Sequence, residues 1–372
     1  MKLLHLSDLH IGKKVHGCSM LNEQRKILSQ ILLLCEKENP DIVLVAGDVY
    51  DKLVPGEEAV SIMDHFLTSL NKQEKEVFVI SGNHDSGERL QFGKEIMKQK
   101  GIHIAGIFEG KLDCVTLEDV WGALNIYMLP FIKPSAVRKY YKAENCEDAV
   151  KKIIEGAKVD FTQRNILIAH QFVTNGSWMP ECCDSENPSI GGLDAVDCGV
   201  FELFDYVALG HLHQAQKVGR ETIRYAGSPL KYSFSEVMHK KSAMMIEMEE
   251  KGKIKLTAIP LKPLHEMREI KGKLNDLIDP KHYTRADRND YIRVTLTDEE
   301  ELYHPLDTLR NIYPNILRLD FDNSRLKQQN DDDIEMEIEN KTDLELFEQF
   351  FQKQNQVELT LEQKEYIKKY LS

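Results

Sequence analysis

His211 and His213 stand two residues apart at the end of the apolar run Val207-Ala208-Leu209-Gly210. If that run is a strand, its period of two points both imidazoles the same way, so one metal centre could take both. Four earlier segments carry the partners such a centre needs, and each follows an apolar run that reads as a buried strand. Leu3 to Leu6 leads into Ser7-Asp8-Leu9-His10, and Ile42 to Ala46 into Gly47-Asp48-Val49-Tyr50-Asp51. Val77 to Ile80 leads into Ser81-Gly82-Asn83-His84-Asp85, while Ile166 to Ala169 ends at His170. Polar groups gathered at strand ends on one sheet edge are where open α/β folds build their sites.

The candidate ligands Asp8, His10, Asp48, Asn83, His170, His211 and His213 offer oxygen and nitrogen without thiolate. That set fits manganese, iron or magnesium better than copper, and lacks the cysteine typical of structural zinc. It is too large for one ion with an open position. It suits two ions ~3.5 to 4 Å apart that share a carboxylate and clamp the attacking and leaving oxygens of an in-line displacement. Taken singly, Asp8 and Asp48 read as turn or helix-capping residues, the commoner role of Asp after a strand. Their place in the series favours the ligand role. For Asp51 and Asp85 a turn role and a site role stay open.

The elements that must position these groups alternate. Leu21 to Lys37 reads as a helix with Ile27, Leu28, Ile31, Leu34 and Cys35 at helical spacing, closed by Pro40 and Asp41, and Glu57 to Leu70 as the next. Strand, helix, strand, helix, strand indicates right-handed parallel crossovers and an α/β sheet. Short strands at Leu112 to Leu117 and Leu124 to Leu129 suggest a mixed or second sheet. Helices follow at Pro134 to Tyr141 and Cys146 to Ala157, then a long loop over 171–200 that leaves directly from His170. Pro260 and Pro263 mark a boundary. Beyond it Leu264 to Phe321 reads as a small α+β unit, Asp331 to Glu339 as an acidic linker, and Thr342 and Thr360 as starts of two capped helices. The expected division is 1–262, 263–325, 326–340 and 341–372.

With 372 residues the chain exceeds a typical single domain. Its 42% hydrophobic and 29% charged residues are those of a globular protein, and no apolar run approaches a membrane span. The chain starts without the layout of a signal peptide, so a cytoplasmic location is expected. Seven cysteines with no C-x-x-C pair make neither a disulfide framework nor a zinc site. The net charge of -13 argues against coating nucleic acid by bulk electrostatics, though bound divalent cations would offset it where a phosphate must approach. His5, His16, His65, His103, His239, His265, His282 and His304 match no motif and read as surface or satisfied core histidines.

In type and order the five segments resemble the calcineurin-like metallophosphoesterase superfamily, with its D-x-H, G-D-x-x-D, G-N-H-D or E, lone His and G-H-x-H. The resemblance implies a two-sheet sandwich flanked by helices. It makes Asp48 the bridging carboxylate, with Asp8, His10 and His213 on one ion and Asn83, His170 and His211 on the other. A hydroxide would attack phosphorus. His84 would be the catalytic residue that protonates the leaving oxygen or stabilises transition-state charge, and Asp51 and Asp85 would orient it or anchor its loop.

Within that superfamily, Gly82 to Ser86 followed by Glu88-Arg89-Leu90, Asp205 to His213, Gly227-Ser228-Pro229-Leu230 and Ser233 to Glu236 resemble the SbcD family of double-strand-break repair nucleases. Gly191-Gly192-Leu193 and Pro260 to Pro263 look like it too. The similarity runs from residue 1 to about 325 and agrees beyond only in layout. It implies a manganese-dependent nuclease with two Mn2+, magnesium or iron being the alternatives, acting on double-stranded ends, hairpins and single strands of DNA. It also implies an SMC-like ATPase partner, SbcC, docked on 341–372, a DNA-contacting cap at 263–325, a homodimer through helices 21–37 and 57–70 within a heterotetramer, and association with the nucleoid. Lys13, Lys14, Arg89, Arg138, Lys139 and Lys142 are candidates to line the DNA path, each equally readable as a solvated charge. Trp178 to Cys183 departs from the pattern. A phosphatase for small or protein phosphoesters and a non-catalytic scaffold are the alternatives.

Overall fold

The computed structural model describes residues 1–186, 194–284, 287–300 and 302–323, with 344, 347–348, 351–352, 359 and 361–368 beyond them. Met1–Thr295 with His304–Asp320 form one compact unit, and Leu296–Tyr303 with Phe321–Ser372 a second.

Two six-stranded sheets build the first unit. One has the order Ile254–Pro260, Ser242–Met248, Lys2–Leu6, Ile42–Ala46, Glu76–Ile80, Ile102–Ala105. Its last four strands are parallel, and Ser242–Met248 runs antiparallel to both of its neighbours. The other has the order Gln216–Val218, Arg220–Tyr225, Tyr206–Gly210, Arg164–His170, Gly122–Leu129, Asp113–Asp119. Successive strand residues face opposite sides, and the apolar runs therefore serve two cores at once. Leu3, Ile42, Leu44, Phe78 and Ile80 meet Ile126, Ile166, Ile168, Tyr206 and Ala208 between the sheets. Leu4, Val43, Val45 and Val77 face outward and pack with Ile27, Ile31, Ile62, Met63 and Phe66. These belong to the helices Leu21–Glu38 and Glu57–Lys72. On the far side Leu167, Val207 and Leu209 cover Ala149, Val150 and Ile153 of the helix Cys146–Ala157. The result is a helix–sheet–sheet–helix sandwich, and the second sheet expected from the hairpin near residue 112 is present.

Two local readings differ. The helix expected over Pro134 to Tyr141 ends at Val137 and continues as a turn in which Tyr141 N–H still donates to Val137 O at 3.0 Å. The stretch expected to be a long loop carries the parallel pair Phe172–Thr174 and Ala195–Asp197 and a 3-10 turn at Cys198–Phe201. Three-residue strands are too short to show a period in sequence.

After Pro263 come a three-stranded sheet, Met267–Gly272, Tyr291–Leu296 and Ile316–Phe321, and the short helices Leu274–Leu277, Pro280–Tyr283 and Pro305–Arg310. Buried Glu23 ties its start down, accepting from Leu264 N–H and the His265 ring, both at 2.7 Å. In the second unit the helix Leu361–Lys368 is described, with Lys364 ion-paired to Glu348 at 3.1 Å. The acidic linker, the capping threonines Thr342 and Thr360, and Gly191 to Leu193 lie outside the described residues. Among the described residues no helix is long and apolar enough to cross a membrane.

Candidate metal centre

All five segments end on one edge of the sandwich, where the two sheets nearly touch. Strand pairing sets His170 beside Gly210, so His170 and His211 are neighbours across the second sheet. Gly210 must be glycine, because a Cβ there would lie 1.8 Å from Ala46 O of the first sheet and 2.8 Å from the His170 ring. Asp8, His10, Asp48 and His211 all have positive φ, from 44° to 109°. Non-glycine residues take that region at a cost and collect at functional sites. Main-chain bonds hold the bends: Asp8 N–H donates to Gly47 O at 3.1 Å and His10 N–H to Asp48 O at 2.9 Å.

The seven candidate ligands come together in two linked groups. In the first, His10 Nε2 lies 3.1 Å from His213 Nε2 and 3.5 Å from Asp48 Oδ2. In the second, Asn83 Oδ1 lies 3.0 Å from both His170 Nε2 and His211 Nδ1, and His170 Nε2 is 3.5 Å from Asp48 Oδ2. One Asp48 oxygen therefore serves both groups. Donor atoms of Asp8, His10 and His213, and again of Asp8, Asp48 and His170, lie within 4.8 Å of one another. Asp8 also accepts the main-chain N–H of His211 at 3.0 Å.

Proton placement tests whether this set fits cations. His170 Nδ1 faces the carbonyl of Ala46 at 2.8 Å and must carry the proton there. The neutral ring then aims the lone pair of Nε2 at two oxygens, Asn83 Oδ1 and Asp48 Oδ2, neither of which can donate. Convergent lone pairs in a buried site are stabilised by a cation, and a divalent metal ion fits this donor set. Without metal a proton must substitute. Burial disfavours a charged His170, but the Asp48 carboxylate beside it outweighs that and raises the ring to about 9. Burial pushes Asp8 up to about 6, opposed by His170 and His213. His211 is driven down to about 3 by burial and by His170, which leaves it neutral as a ligand must be.

Asp8, His10, Asp48, His170 and His213 are buried, whereas Asn83, His84 and His211 are half-buried and lie on the more open side. His84 is held there by its N–H to Asp48 Oδ1 at 2.9 Å and by its Nδ1, 3.1 Å from Asp51 O. Asp51 thus orients His84 through its carbonyl; its carboxylate instead pairs with Lys13 at 2.9 Å and lies 3.6 Å from His10 Nδ1. Asp85 anchors the loop, accepting N–H groups of Val49, Tyr50 and Gly82 at 2.9 to 3.0 Å. Lys14, Arg89, Arg138, Lys139 and Lys142 are exposed.

The sequence assigned no site role to Ser185, Glu186, Glu236 and Lys241, which lie behind His213. Ser185 Oγ is 2.7 Å from His213 Nδ1 and 2.6 Å from Glu236 Oε1, and Glu186 accepts His213 N–H at 2.5 Å. The signal available for Glu236 was its place in the segment Ser233 to Glu236, which resembles the family without showing what the acid does there; Glu236 is fully buried.

The chain is similar to known proteins. Residues 1–215 match the family model of calcineurin-like phosphoesterases, and residues 263–355 match the SbcD_C model, described as the Type 5 capsule protein repressor C-terminal domain. The chain is 34% identical over 382 aligned positions to the SbcD component of the nuclease SbcCD from Staphylococcus epidermidis, covering 100% of this chain and 98% of that one. A dimetal phosphatase structure from Danio rerio aligns with 70% of this chain and 99% of its own, at 10% identity and a TM-score of 0.42.

Proposed function

The chain belongs to the calcineurin-like phosphoesterases and, within them, to the SbcD nucleases, a metal-dependent hydrolase family, and on that premise we propose that it is a manganese-dependent DNA nuclease. The observation that carries the reading is Asp48 Oδ2, 3.5 Å from a ring nitrogen in each of two ligand groups. Asp8, His10, Asp48 and His213 would hold one Mn2+, and Asn83, His170, His211 and the same Asp48 the other. Such a pair supplies charge neutralisation on the phosphoryl oxygens and water of lowered pKa.

This chain's residues do the rest. The Asp51 carbonyl holds a proton on His84 Nδ1, so Nε2 is the nitrogen turned to the substrate, and it can donate to the leaving oxygen or stabilise charge on the phosphate only when the ring carries a second proton there, as imidazolium. The more open side, on which Asn83, His84 and His211 lie, is where the phosphodiester enters. Oxygen and nitrogen donors without thiolate favour Mn2+, with Mg2+ or Fe2+ able to replace it.

On this reading the substrate is DNA: double-stranded ends cut 3′ to 5′, and hairpins and single strands cut internally. Residues 263–325 would contact it. The partner would be an SbcC-type SMC-like ATPase docked on 341–372, and the staphylococcal relative, named as one component of an SbcCD nuclease, supports this. Exposed Leu33 and Val60 on the helices Leu21–Glu38 and Glu57–Lys72 support a homodimer through those faces. The assembly would be a heterotetramer in the cytoplasm, at the nucleoid.

The test is incubation of purified protein with Mn2+ and either a 3′-labelled linear duplex or a chromogenic phosphodiester. The nuclease reading expects the duplex to shorten and EDTA to stop it. Turnover of the small ester alone would overturn it in favour of a small-substrate phosphodiesterase.

A further inference from the structure

Behind the metal-facing side of His213 runs a chain of polar groups, half-buried Ser185 and buried Glu236, Lys241 and Ser228, that has no part in the chemistry so far. Ser185 Oγ sits between His213 Nδ1, at 2.7 Å, and Glu236 Oε1, at 2.6 Å. Glu236 is fully buried and its other oxygen pairs with Lys241 Nζ at 2.6 Å. Lys241 also donates to His213 O and to Ser228 Oγ, both at 2.8 Å. A carboxylate paired with an ammonium is ionised and accepts only, so the single Ser185 proton points at Glu236. The hydroxyl oxygen then has only a lone pair to offer His213. It follows that His213 Nδ1 carries the ring proton and Nε2 keeps the lone pair that faces His10.

The same result is reached for His170 by the Ala46 carbonyl, 2.8 Å from its Nδ1. For His213 it depends on side chains distant in sequence: Ser185 lies 28 residues before the ring and 51 before Glu236. The segment that supplies Ser185 also supplies Glu186, which takes the main-chain N–H of His213 at 2.5 Å and that of Cys183 at 3.0 Å. Ring and backbone of one ligand are therefore both set by this short segment.

We propose that Ser185 and Glu236 are positioning residues that fix the tautomer of His213 and so set the affinity of the ion His213 would hold. The proposal rests on the two-metal reading of the site. Partners of this kind orient a ligating histidine and make it a better donor, and losing one costs about 10- to 100-fold in metal affinity.

The experiment titrates Mn2+ into the full chain, following free Mn2+ by its electron paramagnetic resonance signal, for the wild type, Ser185→Ala and Ser185→Thr. In parallel, 15N-histidine spectra of the metal-free proteins report which ring nitrogen of His213 is protonated, and urea unfolding without metal reports folding. The expected result is two Mn2+ sites in the wild type. Ser185→Ala should weaken one of them about 10- to 100-fold, leave the other unchanged and release the Nδ1–H tautomer, with an unaltered unfolding midpoint. Ser185→Thr, which keeps the hydroxyl, should restore both signals. Wild-type affinity and tautomer in Ser185→Ala, or equal weakening of both ions, would overturn the relay. A wild type that binds no Mn2+ would overturn the metal-centre reading itself, and the relay with it.

Discussion

The main-chain N–H of His84 donates to Asp48 Oδ1 at 2.9 Å, while Asp48 Oδ2 is the oxygen shared by the two ligand groups. The backbone of His84 is thus tied to the shared carboxylate, while its ring is held separately, by Nδ1 at 3.1 Å from Asp51 O, with Nε2 as the nitrogen proposed to serve the reaction. Replacing His84 by Gln keeps the main-chain N–H to Asp48 Oδ1 and removes the ring that can pass a proton. The turnover number on a labelled duplex should fall about 10²- to 10⁴-fold, with Mn2+ stoichiometry and DNA affinity unchanged. Undiminished cleavage by the variant would refute the role.

Gly210→Ala tests the closeness of the sheets. Its Cβ would have to occupy space 1.8 Å from Ala46 O, a main-chain atom that cannot step aside. A loss of about 3 kcal/mol or more is expected from overpacking at such a contact. Gly56→Ala is the control, since nothing lies within 4 Å of its would-be Cβ. Urea denaturation midpoints should separate the two clearly, and equal midpoints would contradict the geometry.

A pH prediction rests on Asp119, away from the site. Burial pushes its carboxyl up, but bonds from Arg164 and from the amino terminus outweigh that and hold it well below the usual carboxylate range. A group depressed in the folded state contributes stability above its unfolded pKa, about 4, and loses it as pH falls through the folded value. The wild type should therefore exceed Asp119→Asn in urea midpoint at pH 7, and the gap should close progressively below pH ~4. A gap independent of pH would show that charge is not its source.

Deleting residues 341–372 should abolish capture of the SMC-like ATPase while sparing Mn2+-dependent cutting, because every candidate ligand lies before residue 214. A pull-down that still recovers the ATPase would remove the docking role from this segment.

The positions of Asp8, Asp48, Asn83, His170 and His211 at strand ends were legible in the sequence because each follows an apolar run long enough to identify a buried strand. The helices at Leu21 and Glu57 were legible for the same reason, at period 3.6. Ser185 and Glu236 were not. Their roles exist only through contacts across 28 and 51 residues, and a serine in a polar loop has no local pattern. The split role of Asp51, carbonyl to His84 and carboxylate to Lys13, was equally invisible, since residue type says nothing about which of its oxygens is used.

The most direct test is an anomalous difference map from crystals of the protein grown with Mn2+. Two peaks ~3.5 to 4 Å apart are expected, with the Asp48 carboxylate between them, His10 and His213 on one and Asn83, His170 and His211 on the other. A single peak, or peaks that leave Asp48 uncoordinated, would contradict a paired-ion centre.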